Sequence, residues 1–357
     1  MKRITQLLQA LKENQLEGYF TSSVPNITYL TGFTGDSSRL LVTAGRCILM
    51  TDGRYTEQAR MECSNDIEVF KWLDNKRYTT ESYTSLIDEV EIKSLGFEGN
   101  ILTYTEFETL RKGLDRVEFK NCDGIVEAIR QQKDQKEIEY LRIACEISDK
   151  ALELTLPHIR EGISELELAA QLEFSLKTNG AENLSFDTLV LSGSRTSLLH
   201  GKPGEKKLQR GDLVLFDFGA LYKGYHADVS RTFVLGEATS QQKEVYHLIQ
   251  QAEMEAVLSL IPGISAQVPD QKVRKILPET YLSAYYPGLG HGVGLQIHEE
   301  PFLGHTSVAI LKENMTITIE PGIYIPGWGG IRIEDTVLIQ KHSPVCLSKF
   351  PRDLMIV

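Results

Sequence analysis

The stretch LVLFDFGALYKGYHADVSRTF, residues 213–233, constrains the fold of this chain more than any other. Two apolar strands flank a short polar turn, and each strand carries one acid among apolar neighbours. With Tyr222 and Lys223 as a two-residue loop, Asp217 and Asp228 face one another. Their Cβ atoms would then lie about 5 Å apart. A shift at Gly224 changes the pairing, so the inference depends on the turn. Alone, such a pair reads equally well as two exposed acids on a solvated hairpin.

The later stretch TITIEPGIYIPGWGGIRIED, residues 316–335, repeats the design. Glu320 ends a β-branched strand, a Pro/Gly/Trp/Gly loop turns the chain at Gly327, and Glu334 sits opposite on the return. Four carboxylates converging in an apolar sheet repel one another strongly unless cations neutralise them. Between the hairpins, YYPGLGHGVGLQIHEEP brackets His291 with Gly290 and Gly292, which allows backbone and imidazole a close approach. Four carboxylates and one neutral imidazole balance two divalent cations. Such an oxygen-rich set suits Mn²⁺ or Co²⁺, with Zn²⁺ as the alternative. Two metals about 3.5–4 Å apart are a known device for activating water against a carbonyl or phosphoryl carbon or phosphorus.

The 357 residues fit about two domains. The first 122 alternate strands and helices in an α/β pattern: an opening helix striped by Ile4, Leu7, Leu8 and Leu11, then strands GYFTSS, RLLVTAG and RCILMTDGRY. VPNITYLTGFTGDSSR reads as a turn-rich connection. Further elements are a helix from Thr56, a strand IEVFKW, a helix near 79–91, a strand SLGFEG and a helix from Thr103. Residues 123–357 form the second domain, entered through a charged linker and a long helix. Its second helix is capped by Ser164 with Glu167. From Asp187 the chain turns strand-rich, with one more helix around 241–260.

Several function classes are excluded. A formal net charge of −11 opposes polyanion binding, so nucleic acid is not a partner. No run of 18 apolar residues exists, so no membrane span is expected. Five scattered cysteines without a CxxC pair point to reduced thiols in a cytoplasmic protein. HEEP at His298 is not the HExxH zinc-protease helix, and GLGHGVG does not fit GxGxxG. SGSRTS lacks the GxSxG elbow.

LFDFGA, YHADVSRTF, GLGHGVGLQIHEEP, TIEPGIY and GIRIED together resemble the pita-bread metallopeptidases, in the branch of Xaa-Pro aminopeptidase (aminopeptidase P) and Xaa-Pro dipeptidase (prolidase). TGFTG and LMTDGRYTEQA extend the resemblance into a creatinase-type amino-terminal α/β domain, so that the fold class implied is α/β (α+β) with a pita-bread catalytic domain following. The resemblance implies metal ligands at Asp217, Asp228, His291, Glu320 and Glu334, with Asp228 and Glu334 bridging. It also implies that Glu320 shuttles a proton, that His200 contacts substrate, and that His298 stabilises the oxyanion. Arg332 and Tyr324 match positions that support the ligands. Spacing independently puts Arg332 on the strand face of Glu334, where it could orient a carboxylate. Many relatives carry a His four residues before the ligand His, where this chain has Pro287; that departure leaves metal binding intact and touches substrate preference.

The expectation is therefore a cytoplasmic, dinuclear metalloenzyme that cleaves the Xaa-Pro bond at the amino terminus of short proline-containing peptides, and the family implies a homodimer. Xaa-Pro dipeptidase is the alternative activity. A methionine aminopeptidase would lack the large first domain, and a creatinase-like amidinohydrolase would lack the ligands. A silent binding scaffold is disfavoured by retention of all five.

Overall fold

The stripe of Ile4, Leu7, Leu8 and Leu11 becomes one face of helix α1 (Lys2–Glu13), with Leu7 and Leu11 fully buried. The computed structural model describes residues 2–72 and 79–357, and the chain divides into two units, Met1–Arg130 and Gln131–Val357. The first unit is built on six strands: β1 (Gly18–Thr21), β2 (Ser38–Thr43), β3 (Cys47–Thr51), β4 (Glu68–Lys71), β5 (Ser94–Phe97) and β6 (Glu118–Asn121). They form one sheet in the order β4-β3-β2-β1-β5-β6. β1 to β3 pair antiparallel, while β3–β4, β1–β5 and β5–β6 are parallel. The parallel pairs require the crossover helices that the alternating pattern supplied.

Helix α2 (Val24–Thr31) corrects the reading of VPNITYLT as a turn-rich connection. The β-branched residues argued against a helix, but its ends are well specified. Ser23 caps the amino end by accepting from the Asn26 amide, Pro25 occupies the first turn, and Gly32 closes the helix at φ 82°. Helices α3 (Thr56–Glu62), α4 (Thr79–Asp88), α5 (Tyr104–Gly113) and α6 (Ile125–Arg130) complete the unit. The sequence reading drew the boundary at 122/123, whereas the structure divides at 130/131. Side chains of α6 explain the difference: Arg130 donates to Asn26 Oδ1 at 2.7 Å, and Asn26 Nδ2 donates to Glu127 at 2.7 Å.

The second unit opens with helices α7 (Gln135–Thr155) and α8 (Glu165–Thr178), each begun by a reciprocal capping box, Asp134/Glu137 and Ser164/Glu167. Strands follow: β7 (Asn183–Leu184), β8 (Leu189–Ser192), β9 (Leu213–Phe218), β10 (Ala220–Tyr222), β11 (Tyr225–His226) and β12 (Val229–Val234). Helix α9 (Ser240–Leu258) occupies the span expected for it, and the amphipathic helix α10 (Val268–Ile276) is an addition that the sequence reading lacked. After a short α11 (Glu279–Leu282) come β13 (Gly288–Gly292), β14 (Glu299–Gly304), β15 (Thr316–Ile319), β16 (Gly322–Ile325), β17 (Gly329–Arg332), β18 (Asp335–Leu338) and β19 (Val345–Cys346). Two apolar layers support these strands. Phe216, Phe218 and Phe233 pack with Leu168, Leu172 and Leu176 of α8, while Ile317, Ile319, Ile331 and Ile333 join Ile249, Ala252 and Ala256 of α9. The acid-bearing strands thus stand on rigid hydrophobic floors.

Candidate metal centre

The first hairpin turns at Lys223–Gly224, not Tyr222–Lys223. Both turn residues have positive φ, 51° and 78°, as a tight two-residue loop with the twist of its strands requires. The register moves accordingly, and Asp217 pairs with Ser230 instead of Asp228. This corrects the expected pairing yet preserves the face. Side chains alternate with period two, so Asp228, two residues from Ser230, points to the same side as Asp217. Gly219 makes the crossing possible, because a Cβ there would lie 1.8 Å from the Ala227 carbonyl oxygen.

The second hairpin keeps the register read from the sequence. Ile319 pairs with Asp335 and Gly322 with Arg332, which sets Glu320 across from Glu334 between the two ladders. The hairpins are then joined to each other, since Ser230 bridges to Glu334 and the Glu334 amide donates to the Ser230 carbonyl at 3.1 Å. Behind the joint, Arg231 and Asp335 form a buried ion pair at 2.8 Å. His291 arrives on β13, where Gly290 admits it: a Cβ at Gly290 would lie 2.0 Å from the Thr318 carbonyl oxygen.

All of Asp217, Asp228, His291, Glu320, Glu334, His200, His298, Tyr324 and Arg332 line one cavity of about 470 Å³. Among the described residues, ligand atoms of Asp228, His291 and Glu334 lie within 4.8 Å of one another. His291 Nε2 is 3.5 Å from both Asp228 Oδ2 and Glu320 Oε1. Its Nδ1 is 3.0 Å from the Gly292 carbonyl, which fixes the proton there and leaves the Nε2 lone pair facing the acids. Burial pushes the imidazole pKa down to about 4, so the ring is neutral. His298 packs edge-on at 4.4 Å between ring centroids. Its pKa is likewise lowered, first by burial and then by the charge of His200.

The acids behave in the opposite sense. Burial, then the charge of Glu334, raises Asp228 well above the carboxylate range. Burial, then the charge of Glu320, does the same to Glu334. Glu320 is raised to about 7, by burial first, with Arg332 opposing. These acids ionise at ordinary pH only with a compensating positive charge.

Arg332 supplies part of it. Its guanidinium donates to Asp217 Oδ2, to Tyr324 Oη at 2.7 Å and to Ser230 Oγ at 2.8 Å. Ser230 in turn donates to Glu334 Oε2 at 2.6 Å. Sequence reasoning missed Ser230; its alternation with Asp228 was the available signal. Asp217 Oδ1 is buried without a hydrogen-bond partner. An orphaned carboxylate oxygen, a lone pair on a neutral imidazole and raised acids fit a cation site.

The profile of metallopeptidase family M24 matches residues 139–341, and that of the creatinase/prolidase amino-terminal domain matches residues 3–132. A protein of Pyrococcus horikoshii named Xaa-Pro dipeptidase is 39% identical over 356 residues, covering 99% of each chain. Among solved structures, an Xaa-Pro dipeptidase from Bacillus anthracis superposes with a TM-score of 0.96 at 35% identity, covering 100% of this chain and 99% of that one. An X-Pro aminopeptidase from Thermotoga maritima gives 0.91 at 33% identity, covering 99% of each chain.

Proposed function

Since this chain belongs to metallopeptidase family M24 and carries the creatinase/prolidase amino-terminal domain, we propose that it is an Xaa-Pro dipeptidase holding two divalent ions, with Mn²⁺ as the working metal. The family implies divalent metal; the count, the identity and the substrate length belong to this proposal. The names carried by its relatives favour the dipeptidase over the aminopeptidase that the sequence reading placed first. A homodimer in the cytoplasm completes the proposal. Five unbridged cysteines support that compartment, and no helix among the described residues is long and apolar enough to cross a membrane.

The observation that carries the reading is the convergence of Asp217, Asp228, His291, Glu320 and Glu334 on one cavity with the Asp217 Oδ1 lone pair unpartnered. Divalent ions held by these five residues would polarise the scissile carbonyl and acidify a water. Glu320 takes a proton from the attacking water as it adds to the carbonyl carbon, then passes it to the prolyl nitrogen as the C–N bond breaks. His298 donates to the oxygen on which negative charge gathers. Arg332 and Tyr324 hold Asp217 in place, and His200 meets the substrate from the rim.

Hydrolysis of Ala-Pro and Ala-Pro-Ala with Mn²⁺, before and after chelation, tests the proposal. Metal-dependent release of proline from Ala-Pro, with Ala-Pro-Ala left intact, is the expected result. Cleavage of the tripeptide would return the reading to an aminopeptidase. Two bound metals without cleavage of either would point to the scaffold.

A further inference from the structure

A free dipeptide brings a carboxylate into a cavity that is already rich in acid. Asp217, Asp228, Glu320 and Glu334 line it, and so does Asp187. Among the described residues lining the cavity, the cationic side chains are Arg332 and Lys202. Arg332 is buried and spends its donors on Ser230, Tyr324 and Asp217. Lys202 is different. Its Nζ lies 3.3 Å from Asp187 Oδ2 in an ion pair whose side chains are 82% and 88% exposed. A pair so open to water is worth little and exchanges readily.

The backbone beneath Lys202 is nonetheless fixed. Arg195 donates to the Lys202 carbonyl at 2.7 Å while its Nε sits 3.0 Å from the fully buried Glu165. Glu165 also accepts from the amides of Ser192 at 2.8 Å and Gly204 at 3.2 Å. Gly201 is wedged against Leu191, whose Cδ1 would lie 2.9 Å from a Cβ there. The result is a rigid base carrying a long, adaptable cation, two residues from His200. Leu189, Leu199, Ile297 and Phe302 supply apolar lining in the same cavity, suited to the aliphatic body of the substrate.

We propose that Lys202 takes the free α-carboxylate of the dipeptide, exchanging Asp187 for substrate, and so selects dipeptides over capped or extended peptides. The inference rests on the dipeptidase reading above. It predicts a specificity carried by charge at the rim and separate from the metal ligands.

The test compares Ala-Pro with its carboxamide, Ala-Pro-NH₂, in the Mn²⁺-loaded full chain and in Lys202→Gln and Lys202→Arg. The unsubstituted protein should prefer the free acid. Lys202→Gln should lower the ratio of kcat/KM values by roughly three- to tenfold, chiefly through KM, as loss of a solvent-exposed charge-assisted contact implies. Lys202→Arg should restore the preference. An unchanged ratio in the Gln variant, or equal use of acid and amide by the unsubstituted protein, overturns the assignment of Lys202 while leaving the Xaa-Pro activity standing. Failure of the unsubstituted protein to cleave either peptide overturns the Xaa-Pro reading, and the lysine assignment with it.

Discussion

Glu98 in the amino-terminal unit and Asp228 in the carboxy-terminal unit are both carboxylates buried beside strand ends, with 2% and 5% of their surface exposed. Their surroundings differ in kind. Glu98 accepts from Tyr19 Oη at 2.7 Å and also from Thr21 Oγ1 and Asn26 Nδ2. Burial still raises its pKa, yet neutral donors occupy both oxygens. Asp228 instead meets further acids, Glu334 first among them, beside an imidazole lone pair and an orphaned Asp217 oxygen. Around Glu98 both carboxylate oxygens are met by donors of the protein itself. The cluster at Asp228 leaves lone pairs open toward a cavity, the condition for holding a cation.

The contrast breaks most sharply at Glu320. Glu320→Gln should lower turnover of Ala-Pro by about 10²–10⁴-fold, the usual contribution of a positioned proton carrier, while circular dichroism and the melting temperature stay those of a folded protein. Turnover within a few-fold of the unsubstituted protein would remove Glu320 from the proton path. A third buried acid sharpens the comparison. Glu253 is fully buried, and its Oε2 lies 3.1 Å from Arg352 Nε. Burial, then the charge of Asp335, raises its pKa from 4.5 to about 8. The folded state therefore binds a proton that the unfolded chain releases. Its contribution to stability is fully present below pH 4.5 and is lost as pH rises through about 8. Within that window the loss approaches about 1.4 kcal/mol per pH unit. Urea unfolding at pH 5 and pH 8 should show this fall, and Glu253→Gln should flatten it. Equal slopes in both proteins would place the proton elsewhere.

The smallest effect concerns the Glu98 cluster. Glu98→Ala strands the donors of Tyr19, Thr21 and Asn26 and should cost about 1–3 kcal/mol of stability. Metal content, read by elemental analysis of the purified protein, should not move. A drop in bound metal would mean that the two clusters are coupled.

Much of this was legible before the fold. Acids embedded singly in apolar strands, with turn residues between, announced two hairpins; the Gly bracket marked His291; and the capping pairs at Asp134 and Ser164 began the helices they signalled. Two readings failed for local reasons. The turn at Lys223–Gly224 requires positive φ at a lysine, which composition does not advertise, and α2 is specified by its caps against the propensity of its interior.

Sequence by itself determined the periodicities: which strand face each acid takes, where most of the long helices run, and where glycine alone can stand, because these depend on neighbours a few residues away. The joint between the hairpins belonged to the tertiary structure. Ser230 reaches Glu334 across 104 positions, and Arg332 reaches Asp217 across 115. Contacts that distant follow from how the sheets pack on α8 and α9, and no local rule encodes them. The same packing removes water from the acids, raises their pKa values and leaves one oxygen of Asp217 with an unused lone pair. A string of residues has no dielectric environment; only the folded interior supplies one.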